Sequence, residues 1–127
     1  MRTYSELVFD GAVEGTSPVY TLPRWNRLLA MTRLIELGVV ATDVSGTTPL
    51  LFVRSQASPD EQNWYDKGPI EIDAWTLSTT EVTLAVGSSV LDVPTQGFVR
   101  LQIYLNGTNP KARLKIYVTG RGSIVLR

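Results

Sequence analysis

Phe98-Val99-Arg100-Leu101-Gln102-Ile103-Tyr104-Leu105-Asn106-Gly107-Thr108-Asn109-Pro110-Lys111-Ala112-Arg113-Leu114-Lys115-Ile116-Tyr117-Val118 is the most regular stretch of this 127-residue chain. Val99, Leu101, Ile103 and Leu105 alternate with Arg100, Gln102 and Tyr104. Ala112, Leu114, Ile116 and Val118 alternate with Arg113, Lys115 and Tyr117. Period-two alternation places one face of an extended chain in a core and the other in solvent. Asn and Gly tolerate positive φ, and Pro cannot donate to a ladder. The stretch therefore predicts a β-hairpin turning at Asn106–Pro110.

Further strands are expected outward from this unit. Leu50–Gln56 places Leu51 and Val53 opposite Phe52 and Arg54. Ile70–Trp75 alternates cleanly, and Glu81–Val86 less strictly. Glu6–Phe9, Pro18–Leu22 and Ser123–Leu126 are shorter candidates. Clusters of Gly, Pro, Ser and Asn separate them at the rhythm of an antiparallel sandwich or barrel. Trp25–Leu37 fits a helical face and a strand face equally on local grounds. Its β-rich surroundings favour a strand, with a bulge near Gly38.

Gly-Thr-x-Pro occurs three times, at Gly15–Pro18, Gly46–Pro49 and Gly107–Pro110. The second and third each join a long incoming strand to an outgoing one. Two readings stand: reuse of a good turn, or two similar halves of one sandwich.

Composition narrows the function. The chain has no Cys and no His. Disulfides, thiolate metal sites and nucleophile pairs built on His are thereby excluded. An average globule of 14.0 kDa exposes ~6,700 Å² and hides about two thirds of its open-chain surface. One domain of that size needs no staple. The N-terminus lacks the apolar run of a signal peptide. No stretch reaches the ~20 apolar residues of a membrane helix.

Lys+Arg and Asp+Glu are both 12, so no net charge attracts nucleic acid or an acidic membrane. The balance hides an asymmetry. Residues 60–92 carry seven acids against Lys67, and residues 93–127 carry six bases and no acid. Either acidic and basic strands pair across the sheet, or complementary patches meet neighbouring molecules. Glu71 and Asp73 share a strand face, which is expected to be solvated rather than catalytic. Trp25, Trp64 and Trp75 with Tyr65 fit core and rim packing, or a sugar platform. No phosphate loop, metal-ligand spacing or activated nucleophile is present. No catalytic residue, cofactor or metal is expected.

Taken together, Thr21–Trp25, the long apolar strand, Val44–Pro49, Gln56–Asp60, Trp64-Tyr65-Asp66, Gly97–Leu101 and Asn106–Pro110 resemble the capsid decoration, or cement, proteins of tailed bacteriophages. Glu61 stands where the commoner S-P-D-G form has Gly. The resemblance implies an all-β fold: an antiparallel, jelly-roll-like β-sandwich over residues 15–127. Outside the resemblance, the apolar stretch before the Gly15–Pro18 turn suggests that residues 1–14 form an extended N-terminal arm or edge strand able to add to a neighbour. The resemblance also implies a non-enzymatic protein, made in the host cytoplasm and bound to the outer capsid of the virion. Its partners would be the major capsid protein and copies of itself, as a trimer, with no nucleic acid or membrane. Tail or baseplate sandwiches and carbohydrate-binding modules are the alternatives. The expected partner contacts are Tyr4, Leu7, Phe9, Trp64, Tyr65, Arg113 and Lys115.

Overall fold

A computed structural model describes residues 2–21, 34–66, 70–90 and 98–122. The strands run in chain order as β1 (Arg2–Glu14), β2 (Val19–Tyr20), β3 (Leu34–Ser58), β4 (Tyr65–Asp66), β5 (Ile72–Thr76), β6 (Thr83–Val90) and β7 (Phe98–Gly122). All pairings are antiparallel. The fold is all-β, as the alternation predicts.

The expected hairpin at Asn106–Pro110 is corrected. β7 passes through that segment without reversing. Its partner on both sides is β3, from Leu34↔Arg121 to Ser58↔Phe98. Register shifts fall between Thr42 and Leu50, where both strands bend together. Long strands that bend at bulges can pass from one layer of a sandwich into the other. One layer thus holds β1, the second half of β7, the first half of β3, and β6. The other holds β2, the first half of β7, the second half of β3, and β4 with β5.

The bends are made by the two Gly-Thr-x-Pro copies. Thr47 pairs with Thr108. Gly46 (φ 106) and Gly107 (φ 124) take conformations open to glycine. Thr48 (φ 47) and Asn109 (φ 49) follow each other's pattern. Pro49 accepts from the Leu77 N–H at 3.0 Å, and Pro110 from the Gly15 N–H at 2.8 Å. The surrounding strands match as well. β1 and β2 pair with β7, while β5 and β6 pair with β3. Two interlocked halves account for this better than reuse of a turn.

The inward residues are those the alternation selects. Leu51, Val53, Val99, Leu101, Ile103, Leu105, Leu114, Ile116 and Val118 join one buried cluster with Leu37, Val39, Ala85 and Ile72. The accessible surface is 7313 Å², somewhat above the ~6,700 Å² of an average globule of this mass. No bulge interrupts Gly38, which pairs regularly with Tyr117 and Val86. The segments 22–33 and 123–127 lie outside the described residues, and with them most of Trp25–Leu37 and all of Ser123–Leu126.

The N-terminal segment is extended, and it is the edge strand of this chain's own sheet. β1 pairs with β7 along its length, with a bulge between Leu7 and Phe9. Its ladder partner is therefore internal, and only its outer edge faces away. Alternation also fails in β5. Ala74 adopts φ 49, and Asp73, Ala74, Trp75 and Thr76 are all exposed. Glu71 does not share a solvated face with Asp73. Its carboxylate accepts from the Ser55 N–H at 2.8 Å and the Ser55 hydroxyl at 2.6 Å, tying β3 to the start of β5.

Candidate functional site

The outer face of the second layer gathers planar side chains from four strands and a loop. Arg100 on β7 lies opposite Gln56 on β3, and Gln56 lies opposite Asp66 on β4. Gln102 lies opposite both Arg54 and Tyr20. Hydrogen bonds follow these rows. Arg100 Nε donates to Gln56 Oε1 at 2.9 Å, and Gln56 Nε2 donates to Asp66 Oδ1 at 2.9 Å. Arg54 Nη1 donates to Asp66 Oδ2 at 3.1 Å. Phe52 and Tyr104 extend the surface as a parallel stack, 4.7 Å between centroids.

Arg100 is the centre. Its guanidinium lies 3.9 Å from the Tyr20 ring centroid and 4.2 Å from that of Trp64. A guanidinium over a ring face gains both cation–π attraction and flat packing, which a lysine ammonium cannot match. Burial lowers the Arg100 pKa from its ordinary value, while Tyr20 pulls it back up. Among the described residues, the Nε bond to Gln56 is its only hydrogen bond. Among the described residues its terminal nitrogens make no hydrogen bond.

The loop after β3 positions Trp64. Asp60 Oδ1 accepts from the backbone N–H groups of Asn63 (2.8 Å) and Gln62 (2.9 Å). Asn63 Nδ2 donates to Asp60 Oδ2. These bonds, the Asn63 N–H foremost, hold the Asp60 carboxyl well below the ordinary range. Glu61 takes φ 63, the left-handed position that glycine fills in S-P-D-G turns. Its carbonyl accepts from Trp64 Nε1 at 3.3 Å. The indole is thus fixed at one edge and covered by Arg100 on a face. β2 is anchored by a buried Thr21, whose hydroxyl accepts from the Leu101 N–H at 2.9 Å.

The expected contact residues fall into two groups. Trp64 belongs to the Arg100 surface, whereas Tyr65, 46% exposed, pairs with the core residue Ala57 and so lies on the opposite face of the sheet from Asp66. Leu7, Arg113 and Lys115 lie on the outer face of the other layer. There Arg113 pairs with Asp10 at 3.0 Å and Lys111 with Glu14 at 3.1 Å. Phe9 packs against the core rather than standing free. The Tyr4 side chain lies outside the described residues. Sequence reasoning missed Tyr20, Gln56 and Arg100, which are distant in sequence and joined by register alone. The basic strand β7 forms its described ion pairs with β1, not with the acidic segment 60–92. An open cleft of about 400 Å³ lies at the β3 bend between Asp43 and Glu81. It shares no lining residue with the Arg100 surface.

No protein-family model matches the chain. No curated protein matches it either. Solved structures do. The structure of infectious bursal disease virus Gx strain matches with a TM-score of 0.61 and 13% identity, over 96% of this chain and 32% of that one. The PBSX exported protein XepA matches at 0.56 and 15%, over 98% of this chain and 39% of that one. The CBM22-1 xylan-binding domain of Paenibacillus barcinonensis Xyn10C matches at 0.56 and 9%, over 91% of this chain and 94% of that one. The chain spans about a third of the viral chain's length. At these identities the likeness defines the fold class, an antiparallel β-sandwich.

Proposed function

We propose that this protein is a non-enzymatic structural component of a virus particle, of the capsid-decoration type. It would dock on the outer capsid lattice, contacting the major capsid protein and copies of itself. The observation that carries this reading is the hydrogen-bonded and stacked surface around Arg100. Its side chains are locked to one another, which suits docking on a rigid partner better than turnover of a substrate. Likeness to a virus particle over nearly the whole chain supports it. On a lattice, many copies multiply weak contacts into strong retention. The test is co-sedimentation with purified capsids of the particle that encodes it. Stoichiometric binding, lost in Arg100→Ala, is expected. Recovery with tail fractions instead would place it in a tail or baseplate.

A second reading is a carbohydrate-binding module. Tyr20, 39% exposed, and Trp64 stand beside the fixed polar groups of Arg100, Gln56 and Asp66. Sugars need such an apolar ring face next to oriented donors and acceptors. Likeness to a whole xylan-binding domain is in keeping with it. Retention on insoluble xylan or a glycan array, lost in Tyr20→Ala, would favour this reading over the first.

A further inference from the structure

We propose that β6 pairs edge to edge with β6 of a second copy, antiparallel across a two-fold axis. This deepens one part of the proposed role, contact with copies of itself, and stands without the capsid part. Among the described residues the first layer has two edge strands, β1 and β6. Natural sheets protect their edges with charges, prolines or bulges. β1 is protected. It carries Glu6, Asp10 and Glu14 and a bulge between Leu7 and Phe9. β6 has none of these devices. Its sequence, Thr-Leu-Ala-Val-Gly-Ser-Ser-Val, has no charge and no proline. Its eight residues run in unbroken register with β3, from Leu34↔Val90 to Ala41↔Thr83. Among the described residues no strand pairs with its other edge.

The side chains point the same way. Ala85 is buried, and on the opposite face Val82 (65%), Leu84 (61%) and Val86 (44%) are exposed. They continue across the sheet through Gly38 and Val40 of β3 to Tyr117 of β7. Three adjacent branched side chains in solvent are costly unless something covers them.

Charge selects the occupant. Antiparallel self-pairing of β1 about Asp10 would set Asp10 against Asp10 and Glu6 against Glu14, an acid ladder facing itself. Self-pairing of β6 about Ala85 sets Leu84 against Val86 of the other copy. Glu81 then lies opposite Ser89, so the two Glu81 residues sit at opposite ends. One edge repels a copy, and the other accepts it. A strand paired with itself is isologous and closes after two copies. It makes a two-fold pair, not the trimer implied by the family resemblance.

The test is sedimentation equilibrium of the full chain and of variants at these exposed positions. Wild type is expected to be a dimer. Leu84→Lys and Val86→Glu should each raise the dissociation constant at least tenfold, with circular dichroism unchanged. The self-paired register makes a stricter demand. Lys at 84 and Glu at 86 would face each other across the axis. An equal mixture of the two single variants, or the L84K/V86E double variant, should therefore recover the dimer. A wild type that is monomeric at its highest soluble concentration overturns the proposal. So do single variants that remain dimeric, or a double variant and mixture that stay monomeric. None of these outcomes depends on capsid binding, so the two readings fail separately.

Discussion

Gly46 and Gly107 each occupy space that the other's motif leaves empty. A Cβ on Gly46 would lie 2.8 Å from the Thr108 carbonyl oxygen and 2.7 Å from that of Asn109. A Cβ on Gly107 would lie 2.8 Å from the Thr47 carbonyl oxygen and 2.7 Å from that of Thr48. Both glycines also hold positive φ. Gly46→Ala and Gly107→Ala should each cost about 2 kcal/mol or more in urea unfolding, from strain and backbone clash. The double variant should cost less than the sum, because the first clash already parts the strands.

Glu61 carries the opposite prediction. Its φ of 63 costs an L-residue roughly 1–2 kcal/mol. Glu61→Gly relieves that strain but frees the unfolded chain by about 0.4–1 kcal/mol. A net gain of about 0.5–1 kcal/mol is expected from these terms. Thermal unfolding should register it as a rise of a few degrees. Glu61→Val should lower stability, since a β-branched residue resists this conformation more strongly.

Arg100 between Tyr20 and Trp64 tests flatness against charge. Arg100→Lys keeps the charge and loses the planar stack and the Nε bond to Gln56. A stability loss of about 1 kcal/mol is expected. Trp64 should become more accessible to a fluorescence quencher, measured against a Trp64→Phe background. Unchanged quenching would mean that the stack does not shield the indole.

Asp60 sets part of the acid response. Its carboxyl is depressed below the ordinary 3.8. A depressed folded pKa adds stability that is fully present above the unfolded value. That stability fades as the pH falls through the folded one. Asp60→Ala should therefore be less stable than wild type at neutral pH, with a shallower acid limb. The two stability curves should converge in strong acid. Parallel curves would show that the Asp60 bonds contribute no pH dependence.

The faces of β7 and β3 are legible in the sequence, because period two maps directly onto burial. What joins them is not. Asn106–Pro110 carries the chemistry of positive φ and of a missing donor. Those properties serve a bend as well as a reversal, and only the partner strand distinguishes them. The repeated motif holds the missing information, as two bends made against each other. β6 misleads in another way. Its loose alternation reads as a strand with one buried face, yet the larger apolar side chains, Val82, Leu84 and Val86, are the exposed ones and Ala85 is the buried one. At the Arg100 surface, Trp64 stands out as an aromatic. Arg100 reads as one more base on an alternating strand. Its role is created by Tyr20 and Gln56, brought alongside by register that no local pattern encodes.

The interlocking of β3 and β7 also governs how the chain acquires its shape. β3 emerges from synthesis with Leu37, Val39, Leu51 and Val53 uncovered. Its main partner arrives only after β4, β5 and β6 have been made. Most of the contacts are distant in sequence, which slows folding to the millisecond-to-second range. Neither half can complete its core alone, because each long strand is sheltered by its counterpart. The newborn chain is therefore most vulnerable to aggregation between the two Gly-Thr-x-Pro bends, a hazard that ends only when the second bend meets the first.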